Sequence, residues 1–302
     1  MSGAVPLTVQ GRIRTPGDKS ISHRALIFAA MADGETRIRD ILPSADVHAT
    51  AGALRAMGVE IPALSDDFVV RGRGLAALHS PESAFDCANS GTTTRLLAGL
   101  IAGLAGREAR FEGDASLSRR PMRRVATPLS QMGAQITFEG APGHDGLPMR
   151  VTGAALNGIH YVNTHASAQV KGALLLAGLA SGVSVTVEEP TRSRDHTERM
   201  LLARGVALEV SASAVVLPAG QTLTAADVIV PSDPSSATFF AALASHWKRH
   251  YAGWTAWCLS PDMKLPSRMR LKESRRVPMW NGPIECRLFR FDLVAGSMRE
   301  GA

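Results

Sequence analysis

Residues 16–31 read PGDKSISHRALIFAAM, and Asp18, Lys19, Ser20, Ser22, His23 and Arg24 all stand within the first nine of them. The rest of the stretch is apolar, so these groups crowd the entrance of a helix. The N–H groups of a first helical turn lack partners and the helix dipole favours anions there. A basic pair beside free hydroxyls would add charge and donors for a phosphate or carboxylate. A plainer reading is an Asp or Ser cap with a solvated Lys and Arg, and this segment alone fits both.

Two further helix entrances have the same character. NSGTTTRLLAGLIAGLA presents Asn89, Ser90, Gly91, Thr92 and Arg95, and ASAQVKGALLLAGLASG presents Ser167, Gln169 and Lys171. GDASLSRRPM adds Arg119 and Arg120 before a helix expected to start at Pro121. Glycine permits close backbone approach and arginine grips oxygens in pairs. If the three entrances converge, they can bind more than one anionic group. The alternatives are ordinary. Asn89, Thr92 and Ser167 serve as caps; Arg119, Arg120, Arg123 and Arg124 form a solvated basic face; His23 and His196 pack or lie on the surface; Lys171 makes a salt bridge. Recurrence in three copies favours a binding role for Lys19, Arg24, Arg120 and Gln169.

The elements that would position these groups repeat. ADVHATAGALRAMGVEI, PMRRVATPLSQMGAQI and SRDHTERMLLARGVALEV each read as an amphipathic helix stopped by Gly58, Gly133 or Gly205, then a short strand. Behind each upstream helix comes a strand-like run, ETRIRDI, REARFEG or GVSVTVEE. The plan is β–α–β–α–β–β, three times between about residues 8 and 218, which predicts an α/β fold with internal three-fold symmetry. A fourth copy starts at PSDPSSATFFAALAS, with Asp233 as cap and Pro234 at the first helical position. There the pattern stops.

At 302 residues the chain can form one large domain or two smaller ones. It has no uninterrupted apolar run of membrane-spanning length and no signal-peptide pattern at its start, so a cytoplasmic protein is expected. Cys87, Cys258 and Cys286 share no metal-like spacing and suit a reducing compartment. The net charge of +6 is unevenly placed: residues 1–245 hold 22 basic and 22 acidic side chains, residues 246–302 hold 11 and 5. All four tryptophans, Trp247, Trp254, Trp257 and Trp280, fall in that tail. A basic aromatic tail would suit nucleic acid, yet this one interrupts a half-built repeat. A reading-frame shift accounts for the change in charge, tryptophan content and periodicity at once. On that reading residues 246–302 are poorly ordered and bury little apolar surface, and a helix over 234–245 docks loosely.

PGDKSISHRALIFAAMADGETRI, NSGTTTRLLAG, GDASLSRRPMRRV, ASAQVKGALLLAGL, TRSRDHTERML and PSDPSSATFF together resemble, in order, the signatures of the 5-enolpyruvylshikimate-3-phosphate (EPSP) synthase family. The resemblance implies an inside-out α/β barrel lobe of three βαβαββ repeats with a second lobe incomplete. Residues 1–18 would be a strand of that second lobe, 19–232 the substrate-binding lobe, 233–245 the start of the second lobe, and 246–302 a divergent tail that is not natively folded. The implied reaction transfers the enolpyruvyl group of phosphoenolpyruvate to the 5-hydroxyl of shikimate 3-phosphate and releases phosphate, on the route to chorismate and aromatic amino acids. By the same resemblance Lys19, Ser20, Arg24, Ser167, Ala168, Gln169 and Arg194 hold shikimate 3-phosphate. Lys19, Asn89, Gly91, Thr92, Arg120 and Gln169 face phosphoenolpyruvate, and Gly91 implies sensitivity to glyphosate. It implies no metal or cofactor, no nucleic-acid or membrane partner, and a monomer whose partners are small phosphorylated substrates.

The sequence also departs from the family. The catalytic Asp and Glu of the missing lobe have no counterpart, so no catalytic residue is assigned. MRLKESRRV has Arg275 where the family motif has Asp, and Lys272 and Glu273 are not carried over. A related transferase acting on a UDP-amino sugar has Asn after the early Lys and a Cys-bearing loop, against Ser20 and DASLSRRP here. The alternative function is an inactive remnant or binding protein that keeps only the shikimate-3-phosphate lobe.

Overall fold

The computed structural model describes residues 16–233, 251, 253–260, 262–269, 271–281 and 284–293. The chain divides into a lobe, Gly17–Pro231, and a second body made of Met1–Pro16 with Ser232–Ala302. The helix expected over 234–245 and most of the strand expected within 1–18 lie outside the described residues.

Three helices form the centre of the lobe: α1 (Lys19–Met31), α3 (Gly91–Gly103) and α6 (Ala168–Ser181). Beyond their first turns these sequences are apolar on every side, so the helices can be buried on every side. Ala25–Ala30, Leu96–Ala98 and Ala173–Ala177 are essentially inaccessible. Small residues bring α3 and α6 together. A Cβ on Gly99 would lie 2.2 Å from the carbonyl oxygen of Ala173, so only glycine fits there.

Around these helices run the outer elements of three repeats. The first comprises β1 (Asp33–Arg39), α2 (Ala45–Ala56) and β2 (Asp67–Arg73). The second comprises β3 (Phe85–Asp86), β4 (Glu108–Glu112), α4 (Ala115–Ser118), α5 (Arg123–Met132), β5 (Gln135–Phe138) and β6 (Met149–Thr152). The third comprises β7 (Ile159–Val162), β8 (Val185–Glu188), α7 (His196–Leu202), β9 (Glu209–Val210) and β10 (Ala214–Leu217). Helix α5 begins at Arg123, two residues after the expected Pro121. The predicted stops hold: Gly58, Gly133 and Gly205 follow α2, α5 and α7 with φ of 91°, 115° and 79°.

The second and third repeats build sheets of the same order, β3-β4-β6-β5 and β7-β8-β10-β9, with the first pair parallel and the rest antiparallel. In the first repeat the parallel partner of β1 is β11 (Val228–Ile229), which follows the third repeat in sequence. Arg204, buried and over the Phe28 ring, secures the returning segment through Nη2 to the Ala226 carbonyl, and Thr224 donates to the Arg204 carbonyl. The Asp18 N–H then meets the Pro231 carbonyl at 2.8 Å. The sheets stay separate and no closed barrel forms among the described residues; helices lie within and strands present their alternate side chains to solvent.

In the second body, β12 (Thr255–Ser260), α8 (Leu265–Arg268), β13 (Arg275–Asn281) and β14 (Ile284–Asp292) are described. The strands form an antiparallel sheet of order β12-β14-β13. Leu265, Met269, Leu271, Phe289, Phe291 and Leu293 make a buried cluster beneath it. The expectation of a tail without folded structure or buried apolar surface is corrected here. The cause is visible in RLFRFD, where Phe289 and Phe291 alternate with Arg290 and Asp292 at strand period. Trp257 and Leu259 occupy the exposed face of β12, so apolar residues fall on both faces and blur the alternation.

Candidate functional site

Each central helix starts on a side-chain cap. Asp18 accepts from the Ile21 N–H, Ser90 from Thr93 and Ser167 from Val170, at 2.8, 3.1 and 3.3 Å. The caps are thus Asp18, Ser90 and Ser167, which leaves Asn89 and Thr92 for other contacts. Four residues into α1 and α3, Ser22 and Thr94 bond back to the carbonyls of Asp18 and Ser90. At the equivalent place α6 carries Lys171, which does something different.

Side chains link the three starts into a ring. Between α1 and α3, Lys19 Nζ reaches Asp46 at 2.9 Å, and Thr93 Oγ1 donates to the Asp46 carbonyl at 3.3 Å. Below that contact, His23 Nδ1, Thr50 Oγ1, Thr93 Oγ1 and Ser90 Oγ form a buried chain with steps of 2.7 Å. Between α3 and α6, the Gln169 amide accepts from Arg95 at 2.9 Å and donates to Thr92 at 2.8 Å. Between α7 and α1, Arg24 Nε donates to Thr197 Oγ1 at 2.7 Å. Gly172 of α6 completes the circuit: a Cβ there would lie 3.1 Å from Thr197 Oγ1 and 3.5 Å from Arg24 Nη2.

The cations gather along this ring. Arg24 is buried, with Nη1 on the Ser20 carbonyl at 2.9 Å. Burial pushes its pKa down to about 10; Glu198 and Asp18 oppose that fall and the charge of Arg194 adds to it. Arg95 is also lowered, first by burial and then by the charges of Arg120 and Arg124. Arginines close enough to disfavour one another make a ready place for an anion. Arg120 grips the backbone carbonyl and side-chain oxygen of Asn89, whose amide donates to Asp114 at 2.6 Å. Gly91 fits beneath them, since a Cβ would come within 2.5 Å of Arg95 Nη1. Lys19 remains half exposed and Arg194 exposed.

Other expected members have different settings. Arg119 and Arg124 are exposed, and Arg123 pairs with Asp145 at 3.4 Å while lying over the Phe138 ring, as a solvated basic face would. His23 is fully buried, and burial pushes its pKa down to about 3. His196 is lowered too, first by burial and then, against the pull of Asp18, by Arg24. Lys171 makes a salt bridge, to Glu189 and Glu198 at 2.7 and 2.5 Å. A surface groove of about 480 Å³ along α5 and β5, lined by Arg123, Ala126, Thr127, Ile136 and Phe138, contains none of the expected ligand contacts. Among the described residues no group of three His, Cys, Asp or Glu could hold a metal, and no helix is long and apolar enough to cross a membrane.

Sequence reasoning passed over Asp46, Thr50, Asn163, Glu189, Thr197 and Glu198. For two of them a signal was present: Thr50 and Thr197 stand eight residues before Gly58 and Gly205. They occupy one pseudo-equivalent place, and each receives a side chain of α1.

Residues 5–249 match the model of the family described as EPSP synthase (3-phosphoshikimate 1-carboxyvinyltransferase). A 3-phosphoshikimate 1-carboxyvinyltransferase of Bacillus subtilis is 51% identical over 235 residues, which are 78% of this chain and 54% of that protein. One from a Synechococcus species is 50% identical over 241 residues, again 54% of its length. The chain therefore spans about half the length of these curated relatives. The solved EPSP synthase of Acinetobacter baumannii superposes with a TM-score of 0.77 at 35% identity, over 94% of this chain and 64% of its own.

Proposed function

The chain belongs to the EPSP synthase family, and from that premise we propose that its lobe, Gly17–Pro231, is a binding site for shikimate 3-phosphate and phosphoenolpyruvate. The observation that carries this reading is the ring of three capped helix starts joined by Lys19, Gln169 and Arg24. It offers N–H groups and cations from all three repeats to ligands with several anionic groups. Ser167, Ala168, Gln169 and Arg194, with Lys19, Ser20 and Arg24, hold shikimate 3-phosphate. Asn89, Gly91, Thr92 and Arg120, with Lys19 and Gln169, hold phosphoenolpyruvate.

The reaction served is addition of the 5-hydroxyl to C2 of phosphoenolpyruvate, with the hydroxyl proton lost and a proton gained at C3, then loss of phosphate from C2 and of a proton from C3 of the tetrahedral adduct, which restores the double bond. The lobe contributes proximity and electrostatic stabilisation of the adduct's anionic groups. Asp46, Asp114, Glu189 and Glu198 are each engaged by a side chain of the lobe, so acid–base roles are assigned to none of these four. Turnover is a property of the whole protein, while binding is testable on this chain. Calorimetry should detect shikimate 3-phosphate binding, weakened by about 1.5–3 kcal/mol by Lys19→Ala or Arg24→Ala, the scale of a hydrogen bond to a charged group. Equal binding by all three proteins would refute the assignment. Because the chain covers only half of its relatives, a binding protein without turnover is the second reading. Phosphate release that requires both substrates separates the two.

A further inference from the structure

Beneath the ring lies a group of buried charges that ligand binding at the helix starts leaves unused. Lys171, Glu189 and Glu198 are all within a few per cent of complete burial, and Glu198 also acts on the charge of Arg24. Burial would raise the pKa of Glu189, but hydrogen bonds from Lys171 and Ser193 outweigh it and hold the carboxylate ionised. Removing such charges from water is costly unless they compensate one another. In the first two repeats a hydroxyl, Ser22 or Thr94, finishes the helix start locally. The third repeat uses a long cation instead, and that cation reaches a hub.

The hub is Glu189. Its Oε2 takes the Lys171 ammonium at 2.7 Å, and its Oε1 accepts from Asn163 Nδ2 at 3.0 Å and from Ser193 Oγ at 2.5 Å. Asn163 in turn clasps the cap residue of α6: Nδ2 donates to the Ser167 carbonyl at 3.1 Å, and the Ser167 N–H donates to Oδ1 at 3.2 Å. Ala166 between them sits at φ 47°, in the left-handed region, so this turn depends on outside support. One carboxylate thus fastens two loops that precede different helices. The first leads into Ser167, the cap of α6, and so into Ala168 and Gln169 of its first turn; the second carries Arg194.

We propose that Glu189 is a positioning residue for the anion site, holding the Ser167–Gln169 turn and the Arg194 loop in register through Asn163 and Ser193. The identity of the ligand rests on the proposed function of the lobe; the coupling of the two loops does not. On the full chain, Glu189→Gln should speed amide hydrogen exchange in 163–169 about tenfold, the loss of one charge-assisted hydrogen bond, and speed tryptic cleavage after Arg192 and Arg194 to a similar degree, while α3 stays protected. Ser193→Ala should loosen only 191–196. In calorimetry with shikimate 3-phosphate, Ser193→Ala should weaken binding alone yet add nothing to Arg194→Ala, since it acts through that arginine. Unchanged exchange in 163–169 or unchanged cleavage at 192–194 in Glu189→Gln, or additive losses in the double variant, overturns the proposal. Should Glu189→Gln unfold the lobe, the Ser193–Arg194 cycle decides. Loosened loops in a chain that binds no shikimate 3-phosphate would sink the function and leave the coupling standing.

Discussion

The lobe and the sheet of the second body obtain their order in different ways. In the lobe, three helices buried on all sides are cross-linked at their starts, and a strand after the third repeat completes the sheet of the first. The described sheet over 255–292 rests on six buried side chains, three at the end of β14 and three in the helical turn and the residues just after it. Both bury aromatic rings, but among the described residues only the lobe has contacts that close on themselves. Burial accumulates from repeat to repeat in the lobe, whereas the described sheet relies on one small cluster.

The largest expected effect separates the two outright. Limited proteolysis should cut within 246–302 and leave a fragment of about residues 17–231 that unfolds cooperatively. Survival of the tail after the lobe is degraded would reverse the comparison. Within the lobe, Lys171→Met leaves Glu189 and Glu198 buried without their cation. It should cost about 3–5 kcal/mol in urea unfolding, the scale for breaking a buried pair. A loss below 1 kcal/mol would show that the cluster is neutral or hydrated.

Acid should act on the lobe through His23. Its folded pKa of about 3 lies below the ordinary 6.5, so the unfolded chain takes up a proton that the folded lobe refuses. Stability is therefore complete above pH 6.5 and falls as pH drops toward 3. Between pH 6.5 and 4.5 the fall should be about 2 kcal/mol, from about 1.4 kcal/mol per unit. His23→Gln should flatten that slope, and an unchanged slope would exclude His23 as its source. The smallest effect belongs to the surface. Arg150, which pairs with Glu108 and Glu139, is partly exposed, so Arg150→Ala should barely move the urea midpoint, and a clear shift would show a stronger surface network.

Much of the lobe was legible because its signals repeat. Helix entrances at Asp18, Ser90 and Ser167, and stops at Gly58, Gly133 and Gly205, each follow from local chemistry. The strand β11 was not legible: two residues that pair with a strand nearly two hundred positions earlier leave no local period. Of the candidate site, the residues on the helix starts were readable, while the partners that orient them were not. Glu189 and Asn163 look like ordinary loop residues until the fold brings them under Ser167. In the tail, mixed apolar faces and scattered arginines hid strands that pairing reveals.

The return of β11 to β1, with Asp18 bonded to Pro231, gives the lobe a circular grammar. Its two ends are a single hydrogen bond apart, so the order in which the chain writes the three repeats is a convention of where it was opened. Joined there by a short linker and cut instead in the turn over 140–146, the same residues would spell the same ring from a new starting point. Such a module can sit within another chain as a parenthesis does in a sentence, entered and left at one place. That is how the segments on either side of it, residues 1–16 and 232–302, come to belong to one body.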